Sequence, residues 1–208
     1  MKLIKVARSV VVRSIFKYAN DTRSNEFKEW FGDWEAENAY TSRNPNPIPS
    51  AAFKGGKPQT FYHGTMNDFD KFEVGLKGTN SHALGSWEVT RHALFFTPNE
   101  QDANAFTSSG ERTGGHIKRV YLNTRSPLDL RNGIDEGHLE EFESVGLNPR
   151  WVANFDWGHL DDEDGAEFVK AARELGYDAI IFNDSNPETG DMMESWAVFD
   201  PSQVRIIK

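Results

Sequence analysis

Apolar side chains at Phe27, Trp30, Phe31 and Trp34 recur at i, i+3, i+4 and i+7, the spacing of one face of an α-helix. Ser24 or Asn25 stands where an N-cap is needed, and the aromatic stripe reads as core packing. The run Asn44-Pro45-Asn46-Pro47-Ile48-Pro49, followed by Gly55, Gly56 and Pro58, cannot continue a helix or a central strand, so it reads as a linker or an extended wrapping segment. Short strands follow over 59–65 and 93–97. Thr97 and Glu100 have capping-box spacing, which predicts a helix to about Thr107. Residues 116–124 read as a half-buried strand, and 134–145 and 162–175 as helices, the second closed by Gly176. Strands over 178–184 and 195–200 flank the turn-rich stretch 186–191 as a hairpin, and 203–208 is a last strand. Strands without a regular βαβ rhythm predict an α+β fold with largely antiparallel sheet. The implied organisation is an arm over 1–23, a helix and linker over 24–58, and a domain over 59–208.

Composition narrows the function classes. Fifteen Phe and six Trp in 208 residues are a folded core's inventory and not a disordered chain's. Lys and Arg number 23 against 32 Asp and Glu, a net charge of −9, so the dense cations that bind phosphate backbones are missing and nucleic acid is disfavoured. The charge is uneven. Lys2, Lys5, Arg8, Arg13 and Lys17 face no acid within the first twenty residues, which leaves −14 on the rest. Interleaved with Leu3, Ile4, Val6, Val10, Val11, Val12, Ile15 and Phe16, they form either a basic amphipathic segment for a membrane or import machinery, or an arm that docks on an acidic surface. No apolar run approaches the roughly 18 residues of a membrane span.

Several chemistries fail on spacing. Without cysteine there is no disulfide, thiol nucleophile or thiolate-bound metal. His63, His82, His92, His116, His138 and His159 never stand four apart as a helical zinc pair does. The acidic run Asp161-Asp162-Glu163-Asp164 has Leu160 and Ala171 where calcium ligands are required. There is no Gly-Xaa-Ser-Xaa-Gly elbow, and no glycine-rich stretch leads into the Lys-Ser/Thr of a phosphate loop.

Three segments in order carry a resemblance. Phe61-Tyr62-His63-Gly64-Thr65, Ala93-Leu94-Phe95-Phe96-Thr97 with its following helix, and Ser195-Trp196-Ala197-Val198-Phe199-Asp200-Pro201-Ser202-Gln203-Val204 together resemble the ADP-ribosyltransferase superfamily. With Trp30-Phe31-Gly32 and the run from Leu175 to Ala179, the chain from Asn25 onward is similar to the transferase-like domains of phage and prophage polyvalent proteins. The resemblance implies a split antiparallel sheet with flanking helices and an N-terminal helical extension. It also implies NAD as substrate, nicotinamide as leaving group, a host protein as acceptor, and a bacterial cytoplasm as the setting.

It further implies roles. His63 would hydrogen-bond the adenosine-side ribose, Gly64 would offer backbone groups to the nicotinamide amide, and Thr65 its hydroxyl to a ribose. Phe95 falls where the family has a tyrosine, and Phe106 falls on the second stacking aromatic, at the family's offset of eleven residues. Ala103 replaces a serine that poly-ADP-ribosylating relatives use on the amide. Ser195 falls where the family carries its catalytic glutamate, with Glu194 one residue away. Three routes stay open: a bulge brings Glu194 in, Ser195 serves in a slow or mono-ADP-ribosylating enzyme, or the domain binds NAD or a partner without transfer. A nuclease-like or NAD-hydrolysing toxin is a third class, opposed for RNA by the acidic surface. His82 and Trp87, in or beside a glycine-rich stretch, are candidates for a loop over the cofactor.

Overall fold

The computed structural model describes residues 21–35, 50–75, 92–108, 113–155, 160 and 163–208. Residues 1–20 of the arm over 1–23, the proline run, and the stretch with His82 and Trp87 lie outside the described residues. Helix α1 (Asn25–Phe31) starts at Ser24, whose side chain accepts from the Phe27 amide, as its spacing predicts. Phe27 and Phe31 are fully buried.

The stretch read as linker contains a hairpin, β1 (Phe53–Lys54) with β2 (Lys57–Pro58). Gly55 and Gly56 have φ of 61° and 77°, and two successive positive values are what a tight hairpin turn demands and what glycine permits at little cost. Just before it the chain does wrap. The buried Ser50 hydroxyl donates to the Leu122 carbonyl at 2.8 Å, and the Ala51 amide donates to the Thr124 carbonyl at 2.7 Å.

Two sheets form the body. In one, β3 (Phe61–Thr65) pairs with β5 (His116–Leu122), which pairs with β9 (Val204–Ile206), all antiparallel. In the other the order is β4 (Leu94–Phe96), β8 (Met192–Val198), β7 (Ala179–Ser185), β6 (Pro127–Asp129). The β6–β7 pair is parallel, one exception to the antiparallel expectation. The sheets touch at Tyr62 and Thr97, which exchange backbone hydrogen bonds of 2.9 and 3.0 Å.

Strand alternation builds two cores. Phe61, Val120 and Leu122 meet Leu94, Phe96, Ile181, Trp196 and Val198 between the sheets. The opposite face of the four-stranded sheet, with Ile180, Phe182, Ala197 and Phe199, is covered by Phe142, Val152 and Phe168. These come from α3 (Glu136–Ser144), α4 (Pro149–Ala153) and α5 (Glu163–Glu174). Helix α1 covers the outer face of the three-stranded sheet, where Phe27 meets the Tyr121 ring at 5.2 Å and Arg205 lies 4.6 Å above Trp30.

The first helix stops at Phe31, before Trp34, because Gly32 takes a φ of 102° as its C-cap, and two element starts also move. The helix after β4, α2 (Glu100–Asn104), is capped by Asn99 and not Thr97, because Thr97 is committed to its bridge with Tyr62. Strand β8 begins at Met192, earlier than hydropathy suggests, because the ladder with β7 runs on from Ser185–Met192 and carries Glu194 into the strand.

Candidate functional site

Three candidate residues, His63, Gly64 and Thr65, are consecutive on β3. Their neighbours on the strand decide their directions. Tyr62 spends its amide and carbonyl on Thr97, so by antiparallel alternation the amide and carbonyl of Gly64 turn to the same side, away from β5 and toward β4. A Cβ built on Gly64 would stand 1.8 Å from the Ala103 carbonyl oxygen and 2.9 Å from Phe106 Cβ. Glycine is therefore required here, and the close approach is made by the end of α2. Phe106 thus lies directly on the strand, beside the backbone of Gly64.

His63 points to the other face of β3, with Phe61. Its ring meets Phe72, Phe96 and Phe69 at 5.1, 5.6 and 6.1 Å. Its Nδ1 lies 2.8 Å from the Phe95 carbonyl, which can only accept, so Nδ1 carries the proton in this contact. His63 thereby ties β3 to β4 alongside the Tyr62–Thr97 bridge. The Lys118 ammonium pairs with Asp68 and lies 5.0 Å above the Phe69 ring, and it holds the Asp68 carboxyl below its ordinary value. The Thr65 hydroxyl accepts from the Asn67 amide at 3.2 Å.

Phe95 is half-buried and turns to the helix-covered face, 6.4 Å from Phe182. It is paired with Ala197, and Ser195, two residues along β8, shares that face. Ser195 is 4% exposed and opposite Phe182.

Glu194 and Ser195 lie on opposite faces. The β7–β8 register is continuous from Ala179–Val198 to Ser185–Met192, so no bulge rotates Glu194 toward Ser195. Glu194 instead accepts from Arg131 at 2.9 Å and from the Trp196 indole at 2.8 Å. Arg131 is gripped by Asp129 as well, which raises its pKa and lowers that of Asp129. The structure thus gathers Gly64 and Phe106 on one side of β3 and ties His63 to the Phe95 backbone from the other. It keeps Ser195 on the Phe95 face and Glu194 off it. Arg131, which holds Glu194, was not singled out in the sequence, since it is 63 positions away and ion-pair partners at that separation leave no local pattern.

Among the described residues no helix is long and apolar enough to cross a membrane, and no group of three His, Asp or Glu is placed to hold a metal. The mixed helices and antiparallel sheets, with a histidine–glycine strand joined to a Phe-Phe-Thr strand, are consistent with a transferase domain of the ADP-ribosylating kind. Residues 54–208 match the family described as ADP-ribosyltransferase in polyvalent proteins, and the chain belongs to that family. No curated protein matches the chain.

Proposed function

We propose that the chain is a mono-ADP-ribosyltransferase of phage or prophage type that cleaves NAD and passes ADP-ribose to a host protein in the bacterial cytoplasm. The observation that carries this reading is Gly64 on β3, its amide and carbonyl turned away from β5 and the Cβ of Phe106 set against its Cα. A carboxamide needs one donor and one acceptor in fixed register, and its ring needs an apolar face. A strand backbone next to an aromatic supplies both, the stacking contributing about 0.5–1.5 kcal/mol.

In the reaction the bond between ribose C1′ and the nicotinamide nitrogen breaks, its electron pair leaving with neutral nicotinamide. The acceptor nucleophile then bonds to C1′ and loses its proton. The sugar passes through a cation-like state, as in glycoside hydrolysis, so positioning and electrostatics do most of the work. Gly64 and Phe106 hold the nicotinamide, with Phe95 shaping the same face. His63, its Nδ1 engaged by Phe95, fixes the ribose-bearing edge of β3, and Thr65 offers its hydroxyl to a ribose. Ser195 hydrogen-bonds a sugar hydroxyl but carries no negative charge, so turnover is slow.

A second reading is favoured by one observation. With Ser195 in the register of the family's glutamate and Glu194 tied to Arg131 and Trp196 on the opposite face, no carboxylate is supplied by β8, and the domain binds NAD or a partner protein without cleaving it. Nicotinamide release separates the two. The first reading expects slow release that His63→Ala abolishes, that Glu194→Gln leaves within about twofold, and that Ser195→Glu raises by 10–100-fold or more, the scale of an added electrostatic stabiliser. NAD binding with no release, and release only from Ser195→Glu, would establish the second. No binding by the unsubstituted chain would refute both as nucleotide sites.

A further inference from the structure

The turn joining β7 to β8 is held by more than its own hydrogen bonds. Asn186, which opens it, is 5% exposed. Its amide donates to Asp191 and its carbonyl accepts from Gly190, both at 2.8 Å. Its Oδ1 accepts from the Glu188 and Thr189 amides at 2.9 and 3.3 Å. These four contacts complete the turn. The Nδ2 group is spent elsewhere, donating to Asp102 Oδ1 at 3.2 Å across 84 residues. A second tie runs parallel to it, from the Ser108 hydroxyl to Glu188 Oε1 at 3.3 Å.

Asp102 lies on α2, directly before Ala103, whose carbonyl abuts Gly64 and accepts from the Phe106 amide at 3.2 Å. Helix α2 has five residues, too few to hold its own place in water, so tertiary contacts must set its position. Beyond the turn the chain runs straight into β8 and Ser195.

We propose that Asn186 and Asp102 form a latch that sets the Phe106 wall of the NAD site against the strand carrying Ser195, Asn186 acting as a positioning residue. The proposal rests on the NAD reading above. Without the latch, α2 loses its registration on Gly64 while the turn keeps its other hydrogen bonds.

Polarity exchange in the full chain tests this. Asn186→Asp retains the acceptor that serves Glu188 and Thr189, removes the donor, and sets a second carboxylate against Asp102. NAD affinity then falls about tenfold, the scale of one hydrogen bond to a charged group, while the melting temperature moves by only a few degrees. Asp102→Asn alone keeps an acceptor and binds as the unsubstituted chain does. The double variant Asn186→Asp with Asp102→Asn rebuilds the bond in reverse, and its affinity returns to within about threefold of the original. Unchanged affinity in Asn186→Asp, no recovery in the double variant, or lowered melting with unaltered affinity would overturn the latch while leaving the NAD site standing. Absence of NAD binding by the unsubstituted chain would overturn the NAD reading, and the latch with it.

Discussion

At the residue scale, Gly64 is the position with the least latitude. A methyl group there meets the Ala103 carbonyl oxygen at 1.8 Å, and that oxygen is backbone, so α2 must move as a unit. Gly64→Ala is expected to cost about 3 kcal/mol or more of stability, at the upper end of overpacking effects, and to remove NAD binding. Urea midpoints and NAD titration check the two parts. Asp200 offers a pH-dependent test away from the site. Its carboxylate accepts from the Ser202 amide at 2.8 Å, which holds its pKa below the ordinary 3.8, helped by the nearby Arg173 charge. A lowered folded-state value means that its contribution is present above the unfolded pKa and is lost as pH falls through the folded one. Asp200→Asn keeps an acceptor but does not titrate. The unsubstituted chain should therefore hold its advantage over the variant at about pH 6 and lose it below 3.8, measured as paired urea midpoints across that range.

At the element scale, what was legible in the sequence is what local periodicity writes. The stripe from Phe27 to Phe31, the Gly176 stop and the strand of His63 and Gly64 are each set by neighbours a few positions away, and each lies within a residue or two of its expected place, while Trp34 falls past Gly32, outside the helix. What stayed hidden depends on partners far along the chain. The β7–β8 register, which decides that Ser195 and Glu194 face opposite ways, is fixed by cross-strand pairing with residues 179–185, and hydropathy alone starts β8 too late. Thr97 has good capping chemistry but is drawn into the Tyr62 bridge, so Asn99 caps instead. Helix α4 did carry a signal, Asn148 followed by Pro149, an N-cap with proline at the first helical position. The hairpin at Gly55-Gly56 was masked by the same residues that suggest a linker. Glu194 shows the limit for the site itself, since its direction is set by Arg131, far along the chain, and by the Trp196 indole, which hold it on the face opposite Ser195.

At the scale of the whole molecule, the family match begins at residue 54, yet the fold does not. Phe27, Phe31 and Ala52 are each fully buried. The Trp30 indole donates to the Ser202 carbonyl at 2.9 Å, and Arg125 donates to the Trp30 carbonyl at 2.7 Å. Ser50 satisfies the end of β5 through both the Leu122 carbonyl and the Thr124 amide. Removing residues 1–53 would strip the outer face of the three-stranded sheet, expose Tyr121 and Arg205, and leave buried polar groups of β5 unpaired. Each buried Phe is worth about 3–5 kcal/mol against truncation to Ala, and the two rings stack at 5.2 Å, so their losses are coupled and do not simply add. Against a typical net stability of about 5–15 kcal/mol, loss of the segment should abolish cooperative unfolding. A chain starting at residue 54 is expected to lack a sharp thermal transition and NAD binding together. Phe31→Ala in the full chain should lower the urea midpoint by about 3 kcal/mol equivalent while sparing nucleotide affinity in the folded fraction, because α1 packs on Tyr121, further along β5 than Ile117, the partner of Gly64. A truncated chain that melts cooperatively near the full-length temperature would show instead that α1 is an appendage.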